Sequence, residues 1–136
     1  MDATLKKCNF LKMFADKLNL TNIEVINERA EIYSKNIREE YYIVTSRAVA
    51  PLKHLLEYSI PLVKINGSYI AMKSNLSEEL SGIKTYEQKL NIEETQRIIF
   101  KLPLEESTRT LIKYQKNDTT PLIYPLKYSD IKKKSL

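Results

Sequence analysis

Residues 41–52, YYIVTSRAVAPL, decide how this chain folds. The apolar residues Tyr42, Ile43 and Val44 are consecutive, not alternating, which predicts a parallel strand covered on both faces. The run breaks at Thr45-Ser46-Arg47, and Pro51 follows where the first turn of a helix tolerates proline. Strand, break and helix together make the repeating unit of an α/β sheet. In open sheets of that class, ligands bind outside the carboxyl ends of the strands. Arg47 is delivered to that place, so it is a candidate binding residue. An ion pair that merely pins the loop is the alternative.

Working outward, the pattern extends in both directions. Asp2 or Thr4 can cap a helix running to Leu18, with Phe10, Leu11, Phe14 and Leu18 at helical spacing and Asn19 as its stop. Residues 22–26, NIEVI, alternate and predict a strand. Residues 28–34 predict a short helical turn. Beyond Pro51, the residues Leu52, Leu55, Leu56 and Ile60 predict a helix limited by Pro61. SYIAMK predicts a strand after a turn at Ile65-Asn66-Gly67. A polar helix opens at Ser77-Glu78-Glu79 and runs to about Leu90. Residues 95–102 and 108–115 predict a closing pair of antiparallel strands. The expected fold is α/β with a mainly parallel sheet, residues 1–116 reading as the back half of such a domain, and a basic tail over 117–136.

Composition narrows the function. The chain has 136 residues, one ordinary domain's worth, and 43% of them are hydrophobic, enough for a core. No run of apolar residues reaches the length of a membrane span. The opening MDATLKKCNF lacks the apolar stretch of a signal peptide. The single cysteine, Cys8, excludes an internal disulfide and suits a reducing, cytoplasmic compartment. One histidine, His54, and one cysteine are too few for a zinc site. His54 lies among apolar helix positions and reads as a helix residue and not a base, so no metal is expected. The net charge of +5 is localised: residues 109–136 hold seven Lys/Arg against two acids, and the first 108 balance. Such a segment suits phosphate contacts. A solvated terminus is the bland alternative.

Several polar residues fall at strand ends on one edge. Asp2 stands where an earlier strand would end, a place where an acid takes ribose hydroxyls, although it could simply cap the helix. Arg29-Ala30-Glu31 follows the NIEVI segment, and Lys73 ends SYIAMK. Each could be a surface charge, but together they point to one rim. The chain has only Gly67 and Gly82, so the glycine-rich turn of a doubly wound nucleotide fold is not among these residues.

The segments DATLKKCNFLK, NERAE, YYIVTSRAVAPLKHLLEY and PLVKINGSYIAMK, in this order and spacing, resemble the second half of the methyltransferase G family of bacterial small-subunit (16S) rRNA, also called glucose-inhibited division protein B. STRTLIKYQK is similar to the family's last strand, and YPLKYSDIKKKSL to its basic tail. The tail departs from the pattern at Leu126, Ser129, Ile131 and Ser135. The resemblance implies part of a Rossmann-like class I methyltransferase sheet, with S-adenosylmethionine as cofactor and N7 of a guanine in small-subunit rRNA as methyl acceptor. It implies that Asp2, Ala3 and Thr4 line the ribose side, that Ala30 and Glu31 flank the adenine, and that Arg47 reaches cofactor or base. It implies that Arg109, Lys127, Lys132, Lys133 and Lys134 face rRNA. Without the glycine-rich loop, these 136 residues alone should bind cofactor weakly and turn over little. The alternative is a non-catalytic RNA-binding remnant. An N-terminal half or an oligomer would cover the open edge of the sheet.

Overall fold

The computed structural model describes residues 1–47, 50–74, 76 and 79–126. Eight main elements follow in order: α1 (Leu5–Lys17), α2 (Ala30–Asn36), β1 (Tyr41–Arg47), α3 (Leu52–Ser59), β2 (Val63–Lys73), α4 (Ile83–Leu90), β3 (Ile92–Lys101) and β4 (Thr108–Lys116). A short 3₁₀ turn, Ile60–Leu62, joins α3 to β2 and contains Pro61. The sheet order is β1-β2-β4-β3. β1 and β2 are parallel, and β4 runs antiparallel to both of its neighbours. Three strands therefore point one way and only β4 is reversed. This is the mainly parallel α/β sheet with a closing antiparallel pair that the sequence predicts.

Strand alternation divides the sheet into two unlike faces. One face carries Val44, Tyr69, Ala71, Ile112 and Tyr114, and Leu52, Leu55 and Leu56 of α3 and Ile83 and Leu90 of α4 close over it. Tyr69 and Tyr114 stack at its centre, ring centroids 6.4 Å apart. The register places Arg47, Met72, Leu111 and Ile98 in one row on the other face, and Thr45, Ile70, Lys113 and Gln96 in the next. No helix among the described residues closes over those rows. Ile43, Ile98 and Phe100 remain 64%, 44% and 39% exposed.

Several boundaries differ from expectation for identifiable reasons. β1 is a parallel strand, but it is not covered on both faces: it is an edge strand with Tyr42 70% exposed. Its consecutive apolar residues record what the strand can pack against, and only one face and one edge are used here. Residues 22–26 form no strand, because they have no neighbour along their length. A single parallel bridge, Asp2 to Asn27, is all that forms. The turn at Ile65-Asn66-Gly67 lies inside β2, where the β1 pairing jumps from Tyr41–Val63 to Ile43–Ser68. Asn66 takes a φ of 66° there. Gly67 is required, since a Cβ would sit 2.7 Å from the Tyr42 carbonyl oxygen. α4 begins at Ile83; Ser77 and Glu78 lie outside the described residues.

The segment after β4 is tied to the body. Lys116 is fully buried, and its ammonium donates to the Val63 and Ile60 carbonyls (2.8 and 3.2 Å) and to Glu39 (3.0 Å). The Arg38 guanidinium donates to the carbonyls of Thr120 (2.7 Å) and Tyr124 (2.8 Å). The buried Glu57 carboxylate accepts the Leu126 N–H at 3.2 Å.

Candidate functional site

The chain direction brings two of the expected regions to one edge. α2 leaves the 27–29 turn and runs to Asn36, and β1 returns to end at Arg47. The start of α2 and the end of β1 therefore lie at the same end of the sheet, the carboxyl end of β1 and β2. The phenol oxygens of Tyr33 and Tyr41, 2.6 Å apart, tie the far end of this excursion together.

Asp2 is brought to the 27–31 turn by backbone. Its N–H donates to the Ile26 carbonyl (3.1 Å), and its own carbonyl accepts the Asn27 side-chain amide (3.0 Å). The buried Cys8 thiol donates to the same carbonyl at 3.2 Å. The Asp2 carboxylate accepts the Thr4 N–H through Oδ1 (2.8 Å) and lies 3.5 Å from Lys7 through Oδ2. The Thr4 amide holds its pKa below the usual carboxylate range, with Lys7 contributing less. Asp2 does not cap α1, whose N-cap is Thr4; its carboxylate closes the turn before the helix through the Thr4 N–H, and it is partly exposed. Ala3 and Thr4 are exposed beside it, and Thr4 makes no side-chain cap.

Ala30 opens α2, and Glu31 accepts from Arg29 Nε at 2.7 Å while staying 15% exposed. Arg47 ends β1 with its side chain exposed, on the sheet face that no helix covers. Lys73 also reaches this edge but is committed elsewhere. It lies 2.8 Å from Glu79 and donates to the Ala50 carbonyl at 3.0 Å, while the same Glu79 oxygen accepts the Leu52 N–H at 2.6 Å. Lys73 fixes the loops around the amino end of α3 and is not presented to a ligand.

Sequence reasoning missed a cleft at this edge, between the end of β2 and the β3–β4 hairpin. Its volume is about 630 Å³, and Ser74, Leu80, Arg97, Ile99, Arg109 and Thr110 are among its walls. Arg97 is held by Glu94 through two hydrogen bonds of 2.8 and 2.7 Å. Arg109 is 3.9 Å from Glu105 and half-exposed. Arg109, expected to face RNA, therefore sits on the same edge as Arg47. The one sequence signal for this cleft was the Ser/Thr-rich STRT at the start of β4. Lys127, Lys132, Lys133 and Lys134 lie outside the described residues. Among the described residues, no three His, Cys, Asp or Glu side chains cluster to hold a metal ion, and no helix is long and apolar enough to cross a membrane.

Solved structures share this fold. One is described as an rRNA methylase from Streptococcus thermophilus (TM-score 0.58, 14% identity, 86% of this chain and 71% of that one). Another is M. jannaschii TYW2 in complex with AdoMet (TM-score 0.62, 11% identity, 83% and 55%). Closer relatives in sequence include the ribosomal RNA small subunit methyltransferase G of Bacillus cereus (strain B4264), 40% identical over 93% of this chain and 54% of the relative. The protein of the same name from Mycoplasma capricolum is 38% identical over 99% of this chain and 58% of the relative. The chain thus spans little more than half the length of the curated relatives it matches. A family model described as GidB, rRNA small subunit methyltransferase G, matches residues 1–110, from the turn at Asp2 to the start of β4. With the strand ends, the Arg-Ala-Glu turn and the arginine edge all inside that match, the chain belongs to the rRNA small subunit methyltransferase G family.

Proposed function

We propose that this chain forms the substrate-side part of an S-adenosylmethionine-dependent methyltransferase acting on N7 of a guanine in small-subunit rRNA. The observations that support the reading are the Asp2–Asn27 bridge, which holds Asp2 beside the 29–31 turn, and Arg47 at the carboxyl end of β1, all within the stretch that matches the family. S-adenosylmethionine supplies an already activated methyl group when bound. N7 of guanine offers a free lone pair and has no proton to lose, so the residues need to align and to stabilise charge more than to exchange protons.

The residues present fit one wall of an adenosyl pocket. Asp2 has a carboxylate oxygen at the surface for ribose hydroxyls, with Ala3 and Thr4 beside it. Ala30 and Glu31 offer a small residue and an acceptor for the adenine side. Arg47 stands free of the core to orient cofactor or base. Arg109, with Lys127 and Lys132–Lys134 of the tail, takes rRNA phosphates. The opposite wall calls for a glycine-rich turn, so the 136 residues alone bind cofactor weakly.

The test is calorimetric titration of S-adenosylmethionine into the chain reconstituted with the remainder of a relative. Asp2→Asn keeps Oδ1 as acceptor for the Thr4 N–H and removes the carboxylate. A loss of affinity of about tenfold or more is expected, the cost of one charge-assisted hydrogen bond. Unchanged affinity removes Asp2 from the pocket, and micromolar binding by the 136 residues alone refutes the one-wall reading.

A further inference from the structure

The sheet ends at β3 on the side away from β1, and among the described residues no strand pairs with the outer edge of β3. Proteins that stay single guard such an edge with a bulge, a proline or exposed charges. In β3 the bulge comes early, where the pairing with β4 jumps between Glu94 and Gln96, and Pro103 comes only after the strand. Between them residues 96–101 run straight along 108–113, and every residue from Thr95 to Lys101 is exposed. Ile98 and Phe100 stand on the face that no described helix covers. Ile99 stands on the other face and is still 65% exposed, so the rim is apolar on both sides. The charges here guard it poorly. Arg97 is drawn back along its own strand by two hydrogen bonds to Glu94, and Lys101 lies 3.9 Å from Glu106 at the strand's end.

The charge pattern says what pairs with this edge. β3 begins with Glu93 and Glu94 and ends with Lys101. A parallel copy of the strand sets acid against acid and base against base. An antiparallel copy sets the acidic start of each against the basic end of the other. Two identical antiparallel strands related by a two-fold axis meet at one residue that faces itself. Centred on Arg97, two guanidiniums collide; centred on Ile99, Arg97 opposes Lys101. Centred on Ile98, neither clash arises. Ile98 then meets its counterpart, Phe100 meets Gln96, and Lys101 falls opposite Thr95, beside Glu94 on the same face. We propose that the outer edge of β3 pairs with β3 of a second copy of this chain, antiparallel about Ile98, to make one continuous sheet. The carboxyl ends of β1 in the two copies then point in opposite directions, so the Arg47 edge of each stays open. β1 takes no part, and the pairing does not depend on the proposed chemistry.

The test is sedimentation of the 136-residue chain over about a hundredfold range of concentration, with hydrogen exchange read by peptide at both extremes. A monomer–dimer equilibrium is expected. The outward amides of 96–101 should gain about tenfold protection in the dimer, and those of 41–47 should not change. Ile98→Lys should abolish the dimer and Ile98→Val should retain it. Glu94→Lys and Lys101→Glu should each weaken self-association by about fivefold, and an equimolar mixture of the two should restore it, because opposite charges then meet at both ends. Near-ultraviolet circular dichroism from the stacked Tyr69 and Tyr114 reports that each variant is folded. A folded chain that stays monomeric at every concentration overturns the inference. So does a dimer that protects 41–47 and leaves 96–101 unchanged, or a mixture of the charge variants that fails to associate. A chain ending at residue 126 that dimerises when the full chain does not also overturns it, since the tail then covers the edge.

Discussion

At the residue scale, two side groups show how little space the fold leaves. Gly67 lies where β2 bulges against β1, and a Cβ there meets two backbone oxygens at 2.7 and 2.9 Å. Backbone cannot move aside as a flexible side chain can. Gly67→Ala should therefore cost about 1–3 kcal/mol, measured by chemical denaturation. Tyr69 is fully buried, its hydroxyl 2.6 Å from Ser46 Oγ. Burial raises its pKa from 10.0 to about 12, and the hydrogen bonds from Ser46 and Ser59 only partly oppose this. A raised phenol pKa means that the folded state holds its proton longer than the unfolded state. The associated stability is intact below pH 10 and is lost as pH rises toward 12, by up to about 3 kcal/mol. Tyr69→Phe should flatten that part of an alkaline denaturation profile. An unchanged profile would place the alkaline sensitivity elsewhere, with Tyr114 the next candidate.

At the element scale, α1 and the sheet differ sharply in what holds them. α1 buries one residue, and its surroundings touch the rest through the Asp2–Asn27 bridge and the Cys8 thiol. β2 and β4 are paired on both sides and packed under α3 and α4. In the 136-residue chain, amides of 5–17 should exchange at least about a hundredfold faster than those of β4. Equal rates would mean that α1 is anchored by contacts other than these. The elements themselves were legible in the sequence: α3 from Pro51 and its leucines, β3 and β4 from their β-branched runs, α2 from its short turn. The NIEVI strand and the two-sided cover of β1 were not borne out, for one shared reason. Hydrophobic pattern reports what a segment is able to bury, and a strand exists only where a neighbour takes its hydrogen bonds.

At the scale of the whole molecule, charged residues stand at both ends of the sheet. Arg47 and Arg109 lie at the carboxyl end of β1 and β2, whereas Lys116 and Glu39 mark the opposite end. Arg38 and Glu57 fasten residues 120–126 near that opposite end. Residues 120–126 are therefore held toward the end of the sheet away from Arg109. Removing 127–136 takes away four lysines, and the slope of log affinity for rRNA against log salt should become shallower by about 3. An unchanged slope would exclude the tail from RNA contact and leave Arg109 and Arg47 as the basic edge.

The sequence by itself determined the α/β class, the carboxyl-end placement of Arg47 and the confinement of excess charge to the last 28 residues. These follow from local period, proline positions and residue counts, which need no partner. Only the tertiary structure decided that Lys73 serves Glu79 and Ala50 instead of a ligand, that Lys116 is sealed beneath the 3₁₀ turn, and that among the described residues no helix covers one sheet face. Each of those depends on contacts between residues far apart in the chain. An ammonium or a strand edge carries no mark in sequence of whether its counterpart will be water, a carbonyl or another strand.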